Sequence, residues 1–213
     1  VVRYAFYQGQ QHSWFMAVVS IIQNITMLAI LMAGAALIRE QERGTIEHLL
    51  VMPLTPLQIV LSKVLANGSV VLLASFLSLQ IVARGLIGVE IHGSMILFVV
   101  STTLYLFFAT GLGVLLGTIA RSMPQLGLLF ILFVLPMNLL SGGLTPLESM
   151  PDIVRHLSEL FPSTTYTSLA QAILFRAAGI EVIWPQLLQI AMIAALVMLF
   201  SLLRFRHMLS RQN

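Results

Sequence analysis

Long apolar runs separated by short polar segments dominate the pattern of this chain. Lipid offers the backbone no hydrogen-bond partners, so a segment that crosses a bilayer must be a helix or part of a closed barrel, and long unbroken runs favour helices. Each run is near or above the roughly 17 to 25 residues that a hydrocarbon core requires. We therefore predict an all-α, polytopic transmembrane helical bundle with spans at 14–38, 57–83, 95–119, 125–141 and 187–203.

Composition and charge also indicate a membrane protein. Of the 213 residues, 58% are hydrophobic and only 9% are charged, whereas soluble domains carry about 25% charged residues. The net charge of +3 is spread between the apolar runs rather than gathered in a patch, which argues against nucleic acid as a partner. The five histidines occupy separate flanks and the chain has no cysteine, so no metal site and no disulfide is predicted.

Basic residues indicate the orientation, because cytoplasmic loops carry an excess of Lys and Arg. Five spans divide these residues between two sides, and the side with the larger set is predicted to be cytoplasmic. The chain then begins outside and ends in the cytoplasm. The larger set comprises Arg39, Arg43, Lys63, Arg121, Arg204, Arg206 and Arg211, and the smaller set comprises Arg3, Arg84, Arg155 and Arg176.

Residues 39–56, which we call the elbow, join the first two spans, and their sequence is the most informative for predicting function. Charges at helical spacing predict that the first span continues into the elbow, until Gly44 breaks the helix. Thr45 is placed to cap a short second helix that Pro53 ends. Thr55-Pro-Leu-Gln then has the form of a capping box that starts the second span. Such a short helix either docks a protein partner or simply joins two spans at the membrane surface.

The elbow sequence Arg39-Glu-Gln-Glu-Arg-Gly-Thr-Ile-Glu-His-Leu-Leu-Val-Met-Pro-Leu-Thr-Pro resembles that of membrane subunits of type-2 ATP-binding-cassette (ABC) exporters. The resemblance implies that the elbow contains the coupling helix, which fits into a cleft of a cytoplasmic ATPase. It assigns the coupling role to Arg39, Glu40, Glu42, Arg43, Gly44, Thr45, Glu47 and Pro53.

A second stretch, Leu139-Leu-Ser-Gly-Gly-Leu-Thr-Pro-Leu-Glu-Ser-Met-Pro, is similar to the family's signature at the outer end of its penultimate span. Two short amphipathic helices are predicted within 146–177, the first ended by Pro162 and Ser163 and the second at about 165–177. The resemblance implies re-entrant helices that close the exit path; the alternative is two helices resting at the lipid headgroups. The outer-gate candidates are Asn138, Ser141, Gly142, Gly143, Pro146, Pro151 and Pro162.

Polar and small residues within the spans have two interpretations. Asn24, Asn67 and Thr110 are candidates to line a substrate path, although such side chains also hydrogen-bond between helices. Gly111, Gly113 and Gly117 either allow close helix packing or act as a hinge.

The resemblance also predicts how the chain works and with what. The whole chain, 1–213, is predicted to be one transmembrane domain of the inner (plasma) membrane, and 1–13 resembles the end of an extracytoplasmic region whose upstream part is missing. The implied partners are a cytoplasmic ABC ATPase, fused or separate, a second permease domain in a homo- or heterodimer, and a periplasmic accessory protein.

The chain has almost no titratable group inside its spans and no Gly-Lys-Ser/Thr phosphate loop. We therefore predict no catalytic residue and no cofactor on this chain, with ATP and Mg bound by the partner ATPase. The predicted activity is export of a hydrophobic or amphiphilic substrate from the cytoplasm or inner leaflet. The rival hypotheses are a channel or secondary carrier that does not use ATP, and a membrane anchor or assembly protein that transports nothing.

Overall fold

The computed structural model describes residues 2–44, 55–88, 91–142 and 150–210, with side chains from residue 14 to residue 208 within these ranges. This part of the chain contains seven α-helices, one π-helical segment and no strand, which confirms the all-α prediction. The helices are α1 (Val2–Glu42), α2 (Pro56–Leu77) with its π-helical continuation Ser78–Leu86, α3 (Met95–Ile119), α4 (Met123–Leu139), α5 (Asp152–Glu159), α6 (Pro162–Arg176) and α7 (Ile180–Ser210).

Four segments within the described ranges are long and apolar enough to cross a membrane: Trp14–Glu42, Pro56–Leu86, Met95–Ile119 and Ile180–Met208. The helix α4 is apolar but has only 17 residues, which corresponds to about 25 Å and the lower limit for a span. Its crossing of the bilayer therefore stays a prediction.

Several helices extend beyond the spans predicted from hydropathy. The first helix runs over 41 residues, about 60 Å and twice the thickness of a hydrocarbon core. The last begins at Ile180 and continues to Ser210 rather than covering only 187–203. Hydropathy marks the part of a helix that lies in lipid, whereas charged residues with good helix propensity continue the helix into water.

The centre of the bundle is α3, which contacts α1, α2, α4, α6 and α7. Glycines bring it close to α1: a Cβ atom on Gly113 would lie 2.4 Å from the carbonyl oxygen of Ile30, and one on Gly117 would lie 3.0 Å from that of Gly34. Two helix backbones can approach this closely only where the contacting residues lack side chains. The packing interpretation of these glycines is therefore confirmed.

The short helices α5 and α6 differ from their predicted form. Pro162 does not end the first of them; it occupies the first turn of α6, where its fixed φ and missing N–H are tolerated. The apolar face expected on α5, formed by Ile153, Val154, Leu157, Leu160 and Phe161, is largely turned away from the chain. Ile153 is 77% exposed, and Ser158 is the side chain that α5 buries.

We predict that Gly113→Ala destabilises the bundle. The added methyl group would overlap the backbone of Ile30, so α1 and α3 must separate, and overpacking of this kind costs about 1–3 kcal/mol in the free energy of unfolding. The measurement is unfolding of the purified protein in detergent. The matched control is Gly111→Ala on the same helix, where the nearest atom to the new Cβ, on Val197, is 3.7 Å away. Equal stability of the two variants would contradict the packing described.

Candidate functional site

The base of the elbow is fastened to the second membrane helix by an ion pair. Glu40 on α1 pairs with the ammonium group of Lys63 on α2. The Lys63 side chain is only 10% exposed, so salt screens this pair less than a pair on an open surface. The last turn of α1 is therefore held against α2, about two turns after the start of α2.

The neighbouring residue, Gln41, joins the elbow to two further helices. Its Nε2 group donates a hydrogen bond to the carbonyl oxygen of Gly117 on α3, at 3.0 Å, and lies 3.3 Å from the sulfur of Met208 on α7. The Gly117 carbonyl is in the last turn of α3, where helix carbonyls lack partners within their own helix. Gln41 thus caps α3 from α1.

The end of α1 takes the predicted form. Gly44 has φ +68°, a left-handed conformation that favours glycine, and its N–H donates to the carbonyl of Gln41 at 3.2 Å. Arg39, Glu42 and Arg43 are exposed to solvent around this end. Thr45, Glu47 and Pro53 lie outside the described residues, so their coupling role stays a prediction.

The start of α2 confirms the predicted capping box. The backbone N–H of Thr55 donates to the Gln58 side chain at 2.8 Å, and the N–H of Gln58 donates to the Thr55 hydroxyl at 3.4 Å. Together with Pro56 in the first turn, this cap fixes the residue at which the elbow ends and the span begins.

At the opposite end of the bundle, hydroxyl groups of α6 cap the end of α4. Ser163 donates to the carbonyl oxygen of Met137 at 3.4 Å, and Thr164 donates to that of Leu140 at 3.2 Å. Ser141 donates back to the carbonyl of Asn138 at 2.7 Å. Carbonyl groups at the end of α4 that have no partner within their own helix thereby accept hydrogen bonds from α6.

This contact brings three of the outer-gate candidates together: Asn138 and Ser141 at the end of α4, and Pro162 at the start of α6. Asn138 is 7% exposed, and its Nδ2 atom has no hydrogen-bond partner among the described residues. Gly142 follows with φ +74°, and Pro151 lies at the N-cap of α5. Gly143 and Pro146 lie outside the described residues.

Two buried tyrosines connect α6 to the centre of the bundle. The rings of Tyr105 on α3 and Tyr166 on α6 are stacked, with centroids 4.1 Å apart and an interplanar angle of 7°. The Tyr105 hydroxyl lies 2.8 Å from that of Thr26 on α1, and the Tyr166 hydroxyl lies 2.7 Å from that of Thr102 on α3.

The direction of these two bonds follows from the single hydrogen of each hydroxyl group. Thr26 donates to the carbonyl of Ile22, and Thr102 donates to that of Phe98. Both threonines must therefore accept, and both tyrosines donate. We call this set of Thr26, Tyr105, Tyr166 and Thr102 the tyrosine relay; it joins α1, α3 and α6 in a buried environment.

The loop before α3 also holds α6. The N–H of His92 donates to the carbonyl of Leu174 at 3.1 Å. A Cβ atom on Gly93 would lie 1.7 Å from the carbonyl oxygen of Ile173, so only glycine fits at this position. Helix α6 is thus held at both ends, by the end of α4 and by this loop.

The three candidates for a substrate path occupy different environments. Asn24 is exposed and lines a small cavity of about 70 Å³ between α1 and α2. Asn67 donates to the carbonyl of Lys63 on its own helix at 2.9 Å. Thr110 is fully buried and bonds to the carbonyl of Leu106. In the part of the chain that the structure describes, no three His, Asp or Glu side chains gather into a group that could hold a metal ion.

Sequence reasoning missed Gln41 as an anchor and the whole tyrosine relay. A signal for the relay was present, because a tyrosine hydroxyl in an apolar environment needs a hydrogen-bond partner. The partners could not be named, since Thr26 and Tyr105 are separated by 79 positions and Thr102 and Tyr166 by 64.

Four long apolar helices, with exposed charged residues at the end of the first and two short helices at the opposite end of the bundle, are the fold of a polytopic integral membrane protein. Residues 1–175 match the family described as ABC-2 type transporter. The chain belongs to this family.

The chain is similar to three named relatives in Escherichia coli (strain K12). It is 52% identical over 204 residues to "Inner membrane transport permease YhhJ", covering 96% of this chain and 54% of the relative. It is 29% identical over 198 residues to "Probable multidrug ABC transporter permease YbhR", covering 92% and 53%, and 29% identical over 174 residues to "Probable multidrug ABC transporter permease YbhS", covering 81% and 45%. The chain thus spans about half the length of these relatives.

We predict that Tyr166→Phe weakens the attachment of α6. The change removes the hydroxyl that donates to Thr102 but keeps the stacked ring, so the expected loss is about 0.5–1.5 kcal/mol in the free energy of unfolding. A double-mutant cycle with Thr102→Val measures the coupling between the two hydroxyls. Thr103→Val is the control, because this hydroxyl bonds within its own helix, to Val99. Strict additivity in the cycle would show that the two hydroxyls do not interact.

Proposed function

We propose that this chain is the transmembrane permease domain of an ATP-driven ABC exporter, and that its elbow is the element on which the ATPase acts. The observation that carries the proposal is the attachment of two consecutive elbow residues to three other helices. Glu40 binds α2 through Lys63, and Gln41 contacts α3 at Gly117 and α7 at Met208. A force applied to the elbow would therefore act on α1, α2, α3 and α7 together.

The attachments suit transmission of a movement because they are partly buried. A charged pair and a hydrogen bond to a carbonyl are stronger where water is excluded, and breaking either leaves a polar group without a partner. The elbow and the helix ends are thus expected to move as one body. ATP and Mg are bound by the partner ATPase, which supplies the energy.

Helix α1 also connects the elbow with the end of the bundle at which α6 and the gate candidates lie. Thr26 and Gln41 lie about 22 Å apart along α1, as a rise of about 1.5 Å per residue requires. Gln41 holds the elbow, whereas Thr26 contacts the tyrosine relay that reaches α6. In the proposed cycle, displacement of α1 by the ATPase changes the position of α6 and of the gate residues at the end of α4, and the exit opens.

The names of the relatives and the distribution of basic residues support the proposed substrate, membrane and orientation. Two relatives are named as multidrug permeases and one as an inner membrane protein, which supports export of a hydrophobic or amphiphilic substrate across the inner membrane. The excess of basic residues supports an orientation with the elbow in the cytoplasm and the amino-terminal end of this chain outside. A second permease domain, identical or not, completes the path, and a periplasmic accessory protein is a further expected partner.

We predict that Gly44→Val uncouples transport from ATP hydrolysis. A β-branched residue is strained at φ +68°, so we expect the elbow to leave α1 in a different direction. No atom of the described residues lies within 4 Å of a Cβ placed on Gly44, so the packing of that part of the chain is spared. The complex with its ATPase is reconstituted in liposomes, and ATP hydrolysed per molecule of a fluorescent amphiphilic dye transported is measured. We expect this ratio to rise severalfold.

The matched control is Gly88→Val at the other end of the second span, because Gly88 has φ +72° and a Cβ placed on it also meets no described atom within 4 Å. It should keep the wild-type ratio. A wild-type ratio in Gly44→Val would contradict the coupling role of the elbow. Failure of any nucleotide-binding protein to co-purify with the gently solubilised chain would favour a carrier or an anchor instead.

A further inference from the structure

A polar cavity of about 290 Å³ lies beside the base of the elbow. It opens between the end of α1, the link from α3 to α4 and the end of α7. Among the described residues, its walls are formed by Gln41, Thr118, Ile119, Ala120, Arg121, Arg204, His207 and Met208. This cavity lies at the end of the bundle opposite the tyrosine relay and the gate candidates, so it is separate from the proposed exit.

The charge of these walls is of one sign. Arg121 in the link from α3 to α4 and Arg204 on α7 both line the cavity, His207 adds an imidazole, and the described walls contain no carboxylate. A guanidinium group presents two parallel N–H donors that match the oxygens of a phosphate group. Two such groups converging on one space favour an anionic phosphate over a neutral ligand.

The surface next to the cavity is apolar. On α7, Phe200 lies one helical turn before Arg204 and Leu203 lies one turn before His207, so each shares a face with a cavity residue. Phe200 is 58% exposed and Leu203 is 51% exposed. A ligand whose phosphate occupies the cavity would therefore have an apolar surface along which to lay hydrocarbon chains.

We propose that this cavity binds the phosphate headgroup of an anionic phospholipid, with its acyl chains along the Phe200 and Leu203 face of α7. Basic pockets between membrane helices on the cytoplasmic side recognise lipid headgroups in this way. The apolar face distinguishes a lipid from free phosphate, which would gain nothing from Phe200 or Leu203.

The site also bears on the elbow, because Gln41 both lines the cavity and bonds to Gly117. A bound lipid would stand beside the anchor on which the proposed coupling depends. Its placement in the cytoplasmic leaflet rests on the proposed orientation, whereas the binding itself does not depend on transport. An experiment can therefore disprove lipid binding without contradicting the proposed function, and it can disprove the proposed function without contradicting lipid binding.

Binding is tested by native mass spectrometry of the chain purified in detergent, titrated with phosphatidylglycerol and, separately, with phosphatidylcholine. The variant is Arg121→Gln combined with Arg204→Gln, and the control is Arg84→Gln, an exposed arginine at the outer end of the second span. We expect wild type and control to prefer phosphatidylglycerol. The double variant should bind it about thirtyfold more weakly, because it loses two basic residues that each contribute about 1 kcal/mol near an anionic lipid. Unfolding in detergent without lipid checks that the double variant is folded.

The other outcomes would overturn the proposal. Equal binding of phosphatidylglycerol by wild type and double variant would place the lipid elsewhere on the chain. Equal binding of the two lipids by wild type would show that binding does not require an anionic headgroup. Displacement of phosphatidylglycerol by millimolar inorganic phosphate, with binding of phosphate alone to wild type but not to the double variant, would identify a site for soluble phosphate.

Discussion

The lack of hydrogen-bond partners in hydrocarbon is the constraint on which this structure depends. A helix that ends at or near membrane depth leaves carbonyl groups that water cannot satisfy, so other helices must supply the donors. Here Gln41 of α1 supplies one to α3, and Ser163 and Thr164 of α6 supply two to α4. Each contact that satisfies a helix end is also a mechanical connection between helices.

These connections lie at the two ends of the bundle, and α1 and α3 run between them. At one end α1 carries the elbow and the ion pair to Lys63; further along, Thr26 meets Tyr105. The close approach of α1 to α3 at Gly113 and Gly117 keeps the two helices in register. A structure of this kind is suited to moving one end in response to the other, because its central helices are tightly packed while its polar contacts are few and specific.

Local signals in the sequence predicted much of this fold. The span at 95–119 has the observed bounds of α3, Gly44 ends α1, and the Thr55 capping box starts α2. These features depend on neighbouring residues alone. The start of α1 before residue 14 and both ends of α7 lie outside the predicted spans, because hydropathy measures lipid exposure rather than helix formation. Pro162 starts a helix rather than ending one, because proline is also favoured in the first turn of a helix.

The contacts that join the elbow and α6 to the rest of the bundle are instead between residues far apart in the sequence. Gln41 meets Gly117 across 76 positions, and the tyrosine relay joins residues from three helices. A glutamine or tyrosine in or beside an apolar run predicts that a partner exists, but the packing of the bundle decides which partner it is. The same holds for α5, which the sequence predicts to be amphipathic without indicating what its apolar face contacts; Ile153, Leu157 and Leu160 on that face are exposed.

The side of the membrane on which the elbow lies decides whether an ATPase can act on it. Because the chain contains no cysteine, single variants Glu42→Cys in the elbow and Arg155→Cys on α5 can each be labelled at one position with a membrane-impermeant thiol reagent. Both positions are exposed. Glu42→Cys is expected to react in inside-out vesicles and to be protected in intact spheroplasts, with the opposite pattern for Arg155→Cys. Labelling of Glu42→Cys in intact spheroplasts would place the elbow outside the cell and contradict the account.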